Sequence, residues 1–578
     1  MDDPKTFDIF SSGNTVAIFQ FESPGMQKHL MALKPSRFED IIAMNALYRP
    51  GPMDSIPDYI NRRHGKAQIE YNLPEEEEVL KETYGITVYQ EQVMRLSRSI
   101  AGFTRGESDK LRKGMAKKKE KILATLETKF MKGGEERGHS AETLTQIWQG
   151  WKSFAQYAFN KSHSACYAYV AYQEAYLKAH YPAEYMAGNL SCMLRKADEV
   201  SKLMKECCAM GINVLSPSVN ESHNTFSVTK DGDIRFGIGA IKGVSSSAVS
   251  EIIEERVANG LFEDVYAFFK RVPIRSLNRK TIECFVKSGA FDCFGIARED
   301  YFAIMPNSTE TDFIAALLAY GKSCQLEEKD SSVSLFGDAH PMEVAKPQPA
   351  KGTKSNRLEQ LLEESNLIGV FLSGNPLDPY EFIIKHYCSH TTEDLKSLSE
   401  LEGTNVCLAG YLSDVSSGTW QSANGNKSNE FTDLVINDYA GSYKLRVWGE
   451  DTFKYSGYFK ENEFLLLNLS VTRPKYDKDK KGDKFFVNVT DVRALSSIAD
   501  SLINEVTLRF NPAIVDEDFA VDLHTEATKH KGQCALIFNM YNPKLHYSLN
   551  LAPEKIRIQP GSWLCRIIEK YELQCQVK

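Results

Sequence analysis

The sequence predicts a multidomain α+β protein with a mainly helical first part, a helix-hairpin-helix region, a five-stranded barrel and a small C-terminal α/β domain. Its 578 residues are too many for one hydrophobic core, because domains usually contain about 100 to 200 residues. Residues 7–208 read mostly as helices separated by Gly and Pro, whereas residues 405–493 contain five short β-rich runs. Residues 504–578 alternate again between strands and helices.

Composition narrows the class of protein. The net charge of -8 argues against a generally basic coat for nucleic acid, but it permits basic patches on an acidic background. The 12 cysteines include no C-x-x-C pair, so reduced thiols are expected rather than a zinc site or a disulfide scaffold. The most apolar run, residues 464–467, is much shorter than a membrane span. We therefore expect a cytoplasmic protein.

One predicted helix has a basic N-terminus. The capping residue Asn160 precedes a run without Gly or Pro, so a helix should begin near His163 and end before Pro182. Lys161 and His163 would then lie beside free backbone N–H groups at the positive end of the helix dipole, which is a receptor for phosphate. If the basic stretch 110–119 converges on it, the two form a pocket for a triphosphate. A capping histidine and a solvated lysine run remain the alternative.

The tyrosines of this helix are predicted to face the core, and a platform for a ligand is the alternative. Tyr169, Tyr172 and Tyr176 fall at i, i+3 and i+7, a spacing that places them on one helical face.

Four motifs occur in one order along the first 164 residues: 19–23 (FQFES), 46–52 (ALYRPGP), 84–94 (YGITVYQEQVM) and 159–164 (FNKSHS). Together they closely resemble the fingers region of the alpha subunit of bacterial DNA polymerase III, the family C replicative polymerase. The resemblance runs through essentially the whole chain, and the ordered set is far more specific than any single motif. It implies template-directed addition of deoxynucleotides to a primer 3′ end.

The resemblance also implies an incoming-nucleotide site. Its residues would bind the triphosphate: Arg112, Lys113, Asn160, Lys161 and His163. Lys113 stands where the family often carries a second arginine. Its ammonium is a point charge, whereas an arginine guanidinium can contact two phosphate oxygens at once.

Polymerase chemistry also needs carboxylates that hold two Mg²⁺ ions. In this family those aspartates lie in a palm domain upstream of the fingers, so the chain is expected to be a C-terminal part of a longer subunit, without the PHP and palm domains and without metal ligands of its own. The Asp-x-Asp pairs at 231–233, 477–479 and 516–518 are interpreted as turns and a helix start. The alternative function is that of a non-catalytic module: the isolated chain would bind DNA and replisome partners without catalysing a reaction.

Beyond residue 210, the sequence favours nucleic-acid and partner contacts. Residues 239–253 and 277–291 resemble a helix-hairpin-helix, whose glycine turn exposes N–H groups to a DNA phosphate; plain helix packing is the alternative. The five β-rich runs suggest an OB-fold that binds single-stranded DNA, with aromatic stacking platforms and a basic late loop; a barrel with solvated lysines is the alternative. The residues predicted to contact DNA are Arg49, Arg62, Arg63, Lys117, Lys118, Lys119, Lys242, Gly243, Val244, Trp420, Tyr476, Lys478, Lys480 and Lys481.

Partner proteins follow from the resemblance. The pentapeptide Ser332, Val333, Ser334, Leu335 and Phe336 resembles the motif by which polymerase subunits bind the sliding clamp. The C-terminal domain corresponds to the domain that binds the clamp-loader tau subunit, and a proofreading exonuclease subunit is expected to bind the missing N-terminal region. The predicted boundaries are 1–210 for the fingers region, 211–340 for the helix-hairpin-helix and clamp-binding region, 341–400 for a linker and connecting segment, 401–497 for the OB-fold and 498–578 for the tau-binding-like domain.

Overall fold

The chain divides into two compact units, Met1–Leu372 and Ser373–Lys578. The predicted domain boundaries inside these units stay predictions. The computed structural model describes residues 1–116, 120–154, 159–194, 196–305, 311–331, 344–354, 356–421, 428–473, 485–512, 517–542, 547–553 and 556–578.

The first part of the first unit is helical, as predicted. Several helices begin with proline in the first turn, and some end at a glycine cap. The helices are α1 (Pro4–Ser12), α2 (Pro24–Leu33), α3 (Phe38–Leu47), α4 (Ile56–Arg63), α5 (Pro74–Leu80), α6 (Gln90–Ala101), α7 (Arg105–Ala116), α8 (Glu120–Glu135), α9 (Ala141–Phe154), α10 (Lys161–His180), α11 (Pro182–Cys192) and α12 (Ala197–Ala209). Two short 3-10 helices, Pro52–Ser55 and Lys81–Thr83, lie between them.

Helix α10 packs against α3, a helix whose residues are almost all buried. Small side chains on α10, Ala168, Ala171 and Ala175, are fully buried and allow the close approach. The prediction that three tyrosines face the core was wrong for Tyr169 and Tyr176, which are 47% and 41% exposed. At about 100° per residue, their stripe is rotated roughly a quarter turn from the alanine stripe, so of the three tyrosines only the middle one is buried.

The rest of the first unit contains the helix-hairpin-helix region. Strands β1 (Val214–Leu215), β2 (Ser227–Val228) and β3 (Ile234–Arg235) form a small sheet of order β1-β3-β2. The helices that follow are α13 (Ser246–Asn259), α14 (Val265–Arg271), α15 (Arg279–Lys287), α16 (Phe313–Ser331) and α17 (Arg357–Ile368). Residues 344–354, predicted as an exposed linker, have no helix or strand. The Tyr266 hydroxyl nevertheless donates to the Pro347 carbonyl at 2.5 Å, so the segment contacts the unit.

The second unit begins with the five-stranded OB-fold that the β-rich runs predict. After α18 (Glu381–His386), the strands are β4 (Asn405–Gln421), β5 (Ser428–Asn437), β6 (Ser442–Trp448), β7 (Phe464–Thr472) and β8 (Phe486–Ala494), with α19 (Glu450–Lys454) after β6. All neighbours are antiparallel in the order β6-β5-β4-β7-β8. The edge strands β6 and β8 approach each other, with Cα atoms within 8 Å, so the sheet curls toward a barrel.

The C-terminal α/β domain also matches the prediction. Its elements are α20 (Leu495–Leu502), β9 (Glu505–Phe510), α21 (Glu517–Lys529), β10 (Lys531–Asn542), β11 (Tyr547–Leu551), β12 (Arg557–Ile558), α22 (Ser562–Lys570) and β13 (Gln574–Val577). Strands β9 and β10 are parallel and are connected through α21. Ala409 and Leu466 of the barrel join the core of this domain, so the second unit is continuous.

Candidate functional site

The N-terminus of α10 is tightly capped. The Asn160 side-chain oxygen accepts the His163 N–H at 2.9 Å, and the Asn160 carbonyl accepts the Ser164 N–H at 3.2 Å. The Glu91 carboxylate accepts both the Asn160 side-chain amide, at 2.7 Å, and the Lys161 N–H, at 2.9 Å. Protein groups thus already pair two of the backbone N–H groups that were predicted to be free, those of Lys161 and His163. An anion at this helix start must therefore be held mainly by side chains.

The start of α6 holds the start of α10 in place. The Gln90 N–H donates to the Phe159 carbonyl at 2.8 Å, and Tyr89 and Phe159 form an isolated parallel bridge. Glu91, in the first turn of α6, completes the junction. These residues lie about 70 positions before the helix that they cap.

Lys161 is paired yet accessible. Its ammonium contacts a Glu82 carboxylate oxygen at 2.6 Å and lies 5.4 Å from the centre of the Tyr89 ring. The side chains of Lys161 and Glu82 are 35% and 34% exposed. An ion pair this exposed is weak, so the lysine can exchange its partner for another anion.

Arg49 and His163 extend the positive surface. The Arg49 guanidinium lies 3.8 Å from the centre of the Phe159 ring, and no carboxylate among the described residues pairs with it. Burial lowers the pKa of Arg49, which remains charged at neutral pH. The exposed His163 ring lies 5.4 Å from the Phe159 ring and 4.3 Å from the Tyr167 ring. We call Arg49, Phe159, Asn160, Lys161 and His163 the α10 cluster.

The second predicted half of the nucleotide site lies on α7. Arg112 and Lys113 both pair with Asp109 of their own helix, at 2.8 and 2.7 Å. The Lys113 ammonium, followed by the Arg112 guanidinium, lowers the pKa of Asp109. Within the described part of the chain, no contact joins these two side chains to the α10 cluster. Their convergence on one triphosphate stays a prediction, and Lys117, Lys118 and Lys119 lie outside the described residues.

Two arginines predicted to contact DNA serve the fold. Arg63 donates to the buried Asp40 carboxylate at 3.0 Å, to the Leu33 carbonyl at 2.9 Å and to the Ser36 hydroxyl at 2.9 Å. Arg62 donates to the Tyr84 carbonyl at 3.1 Å. These contacts occupy the Arg63 guanidinium, so the geometry gives its predicted phosphate contact no support.

The helix-hairpin-helix turn is exposed where it was predicted to meet phosphate. Lys242 and Gly243 are exposed, and Gly243 has a φ of +89°. A Cβ atom at Gly243 would come within 3.0 Å of the Cys284 sulfur, so both the backbone and the space favour glycine. The Lys242 N–H is already bonded to a carbonyl of α17 at 3.0 Å, and Ser245, in place of a second glycine, caps α13. Val244 is half-buried behind this turn.

The OB-fold carries an aromatic face on β4, β5 and β6. Trp420 and Trp448 are 48% and 36% exposed. Phe431 pairs across the strands with Trp448, and their rings lie 5.3 Å apart. The Arg446 guanidinium lies 4.1 Å from the Phe431 ring and 5.4 Å from the Trp448 ring. We call Trp420, Phe431, Arg446 and Trp448 the barrel face.

An ion pair anchors the barrel face. Asp433 accepts from the Arg446 guanidinium at 2.6 Å and pairs with the Lys444 ammonium at 2.9 Å. The Arg446 hydrogen bond, supported by Lys444, lowers the pKa of Asp433 to about 2. Gly418 lies beneath Phe431, because a Cβ atom there would meet the ring at 2.8 Å. The ion pair thus holds the Arg446 guanidinium over the aromatic rings.

Sequence reasoning missed several residues of both surfaces. Glu82 and Glu91 gave no signal, because their contacts depend on tertiary structure. Trp448 and Arg446 lie two residues apart on one strand, so period-two alternation already places them on the same face.

Other predicted residues cannot be located here. Tyr476, Lys478, Lys480, Lys481 and the pentapeptide 332–336 lie outside the described residues. Among the residues that the structure does describe, no group of three or more His, Cys, Asp or Glu side chains is arranged to hold a metal ion. In the same part of the chain, no helix has the length and apolar character needed to cross a membrane.

Two family models match the chain. Residues 1–138 match the bacterial DNA polymerase III alpha subunit finger domain, and residues 211–301 match a helix-hairpin-helix motif. DNA polymerase III subunit alpha of Chlamydia trachomatis is 36% identical over 510 residues, covering 87% of this chain and 39% of that protein. The Thermus aquaticus subunit is 34% identical over 550 residues, covering 94% and 42%. The chain thus spans about two fifths of the length of these relatives.

A solved structure similar to part of the chain is the second OB-fold domain of replication protein A from Methanococcus maripaludis. It is 12% identical, with 16% of this chain and 86% of that domain covered and a TM-score of 0.12. The OB-fold assignment rests on the strand order and pairing described above.

Proposed function

The chain belongs to the family of bacterial DNA polymerase III alpha subunits, and we propose that it supplies the incoming-nucleotide, DNA and clamp contacts of a template-directed DNA polymerase. The observation that carries the proposal is the α10 cluster. There, Arg49 joins Lys161 and His163 at one helix start, although more than a hundred residues separate them in sequence.

The three side chains suit a polyphosphate in different ways. Lys161 supplies a mobile point charge, whereas the Arg49 guanidinium is a planar fork that can contact two phosphate oxygens. His163 offers a ring N–H at an exposed position beside them. In phosphoryl transfer, catalysis depends largely on such positioning and on stabilisation of developing charge. The cluster can therefore bind and orient a triphosphate.

The described residues do not form an acidic group that fits Mg²⁺. We propose that Mg²⁺ acts through carboxylates outside them.

Nucleotide binding tests the proposal directly. Titration calorimetry with dATP and Mg²⁺ should give an affinity for the unaltered chain that Lys161→Ala lowers by about tenfold or more, because a charge-assisted contact to phosphate is lost. Lys5→Ala, which removes an exposed lysine of α1, should leave the affinity unchanged. Equal affinities in both variants would reject the site.

The DNA and partner contacts form the second part of the proposal. The exposed turn at Gly243 suits a phosphate of the primer-template, and the barrel face suits single-stranded DNA, since bases stack on aromatic rings. The sliding clamp, the tau subunit, the proofreading exonuclease and a cytoplasmic location remain proposals supported by family membership.

A peptide tests the clamp contact. Residues 331–338 should bind the cognate sliding clamp, because Leu335 and Phe336 each bury apolar surface worth about 2 kcal/mol. Ser332 in place of the usual Gln should keep this affinity modest. In the whole chain, clamp binding that survives Leu335→Ala with Phe336→Ala would place the contact elsewhere.

The second candidate is a DNA- and replisome-binding module that catalyses nothing by itself. The exposed turn at Gly243 and the aromatic barrel face favour it, because both suit DNA binding and neither supplies a catalytic group. Primer extension by the purified chain alone distinguishes the two: extension with Mg²⁺ and deoxynucleotides would reject the second candidate.

A further inference from the structure

Two carboxylates lie at the α10 cluster, and their contacts differ. Glu91 bonds to the cap itself, through the Asn160 amide at 2.7 Å and the Lys161 backbone N–H at 2.9 Å. Glu82 contacts the mobile end of a side chain, the Lys161 ammonium, at 2.6 Å. Glu91 therefore fixes the geometry of the cap, while Glu82 neutralises the charge of the Lys161 ammonium.

The position of Glu91 explains why the cap has one orientation. Its two oxygens accept two different donors from neighbouring residues, and it sits in the first turn of α6, which is bonded to Phe159 through the backbone. The amide of Asn160 can then present its oxygen to the His163 N–H. Without Glu91, the Lys161 N–H and the Asn160 amide lose their common acceptor. The direction of the His163 side chain depends on this cap.

The position of Glu82 allows its carboxylate to separate from the Lys161 ammonium. Glu82 lies on the 3-10 helix Lys81–Thr83, its side chain is one-third exposed, and it pairs with the Lys161 ammonium. A single exposed ion pair stabilises a fold little. A nucleotide triphosphate carries several negative charges, so it competes effectively for the same ammonium.

We propose that Glu82 is a resident counter-ion that a nucleotide phosphate displaces from Lys161, and that Glu91 is a positioning residue that holds the cap beneath the phosphate. The proposal rests on the proposed nucleotide site. It predicts opposite effects from two substitutions that each remove one negative charge from the same place. Electrostatic repulsion alone would give both substitutions the same sign.

The test is calorimetric binding of dATP with Mg²⁺ to the whole chain. Glu82→Gln should tighten binding about three- to tenfold, because the competitor and its repulsion are removed. Glu91→Gln should weaken binding about tenfold, because one of its two acceptor oxygens becomes an NH₂ group, which cannot accept a hydrogen bond from the cap. Glu78→Gln is the matched control: Glu78 forms an exposed ion pair with Arg95 on a neighbouring helix, and its loss should leave binding unchanged.

A double-mutant cycle isolates the pair. In the Lys161→Ala background, Glu82→Gln should lose most of its effect, since no ammonium remains to be released. The far-ultraviolet circular dichroism spectrum should be the same in all variants and so reports that they are folded.

The outcomes are distinct. Undetectable binding by the unaltered chain would overturn both the nucleotide site and this inference. Binding by the unaltered chain that Glu82→Gln weakens or leaves unchanged would overturn the counter-ion role alone. Tighter binding in Glu91→Gln would overturn its positioning role.

Discussion

The α10 cluster and the barrel face are two positively charged surfaces with aromatic rings, built in opposite ways. The α10 cluster gathers side chains separated by 69 to 79 positions from their carboxylate partners, Glu91 and Glu82. The barrel face consists of neighbours on adjacent strands, and Arg446 pairs with Asp433 only 13 positions away. The first surface depends on tertiary packing, and the second follows from local strand pairing.

The difference has functional consequences. Around the α10 cluster, the capping N–H groups and the lysine already have partners, so a ligand must exchange contacts on arrival. On the barrel face, the guanidinium is stacked and the tryptophans are open, so a base can stack without displacing a protein group. We therefore expect a charge-selective site on the first surface and a sequence-tolerant one on the second.

The largest expected effect is on catalysis. In a full-length alpha subunit containing this sequence, Lys161→Ala or His163→Ala should lower the rate of primer extension by about 10²-fold, because contacts to the developing phosphate charge are lost. Primer-template binding, measured by fluorescence anisotropy, should stay nearly unchanged. If both variants extend primers at the wild-type rate, the α10 cluster has no role in catalysis and the two surfaces do not differ in function.

The second effect is on single-stranded DNA. Trp420→Ala with Trp448→Ala should weaken binding of an oligonucleotide to the chain by at least tenfold, since each stacked base contributes about 1–3 kcal/mol. Phe453→Ala is the control, because Phe453 is an aromatic residue of the same barrel, 63% exposed, that lies outside the barrel face. Nucleotide affinity should not change. Equal losses in the control and the tryptophan variant would show that the face has no special role.

The prediction from the late loop separates stacking from charge. Replacing Lys478, Lys480 and Lys481 by Ala should flatten the slope of log K against log salt by about two units, at about 0.7 per phosphate contact on a single strand. The tryptophan variant should lower the affinity while keeping the slope. An unchanged slope in the lysine variant would assign the loop to solvent.

The smallest effect concerns acid stability of the barrel face. The pKa of Asp433 is lowered from 3.8 to about 2, so its ion pairs stabilise the fold above about pH 4, and this contribution is lost as the pH falls toward 2. Asp433→Asn should reduce the difference in urea midpoint between pH 5 and pH 2.5. A carboxyl titration of Asp433 near pH 4 by NMR would contradict the strength of the pair.

The sequence predicts local features of this molecule well. The cap at Asn160 and the proline at 182 bounded α10 to within two residues, and five β-rich runs placed all five barrel strands. Spacing could not distinguish the tyrosine stripe of α10 from its alanine stripe, because both repeat at helical intervals. The alanine stripe is the buried one, because small side chains let α3 approach α10 closely.

The candidate site was predicted less completely than the fold. Its residues on α10 follow from one short motif. The contacts of Glu82, Glu91 and Arg49 instead require the 3-10 helix Lys81–Thr83, the start of α6 and the segment after α3 to meet the start of α10. The expectation of free N–H groups at the helix start was wrong for Lys161, which bonds to Glu91 of α6, and for His163, which bonds to the Asn160 cap. A local motif identifies the donors, and only the tertiary structure shows which of them already have acceptors.

Photolabelling tests the central claim most directly, that phosphate binds at the α10 cluster. A dATP analogue with an aryl azide on its γ-phosphate would be bound to the whole chain, irradiated and mapped by peptide mass spectrometry. We predict labelling within residues 159–167 or 82–91, abolished by excess dATP and reduced by Lys161→Ala. Labelling confined to the barrel or to the C-terminal domain, and unaffected by Lys161→Ala, would contradict the account.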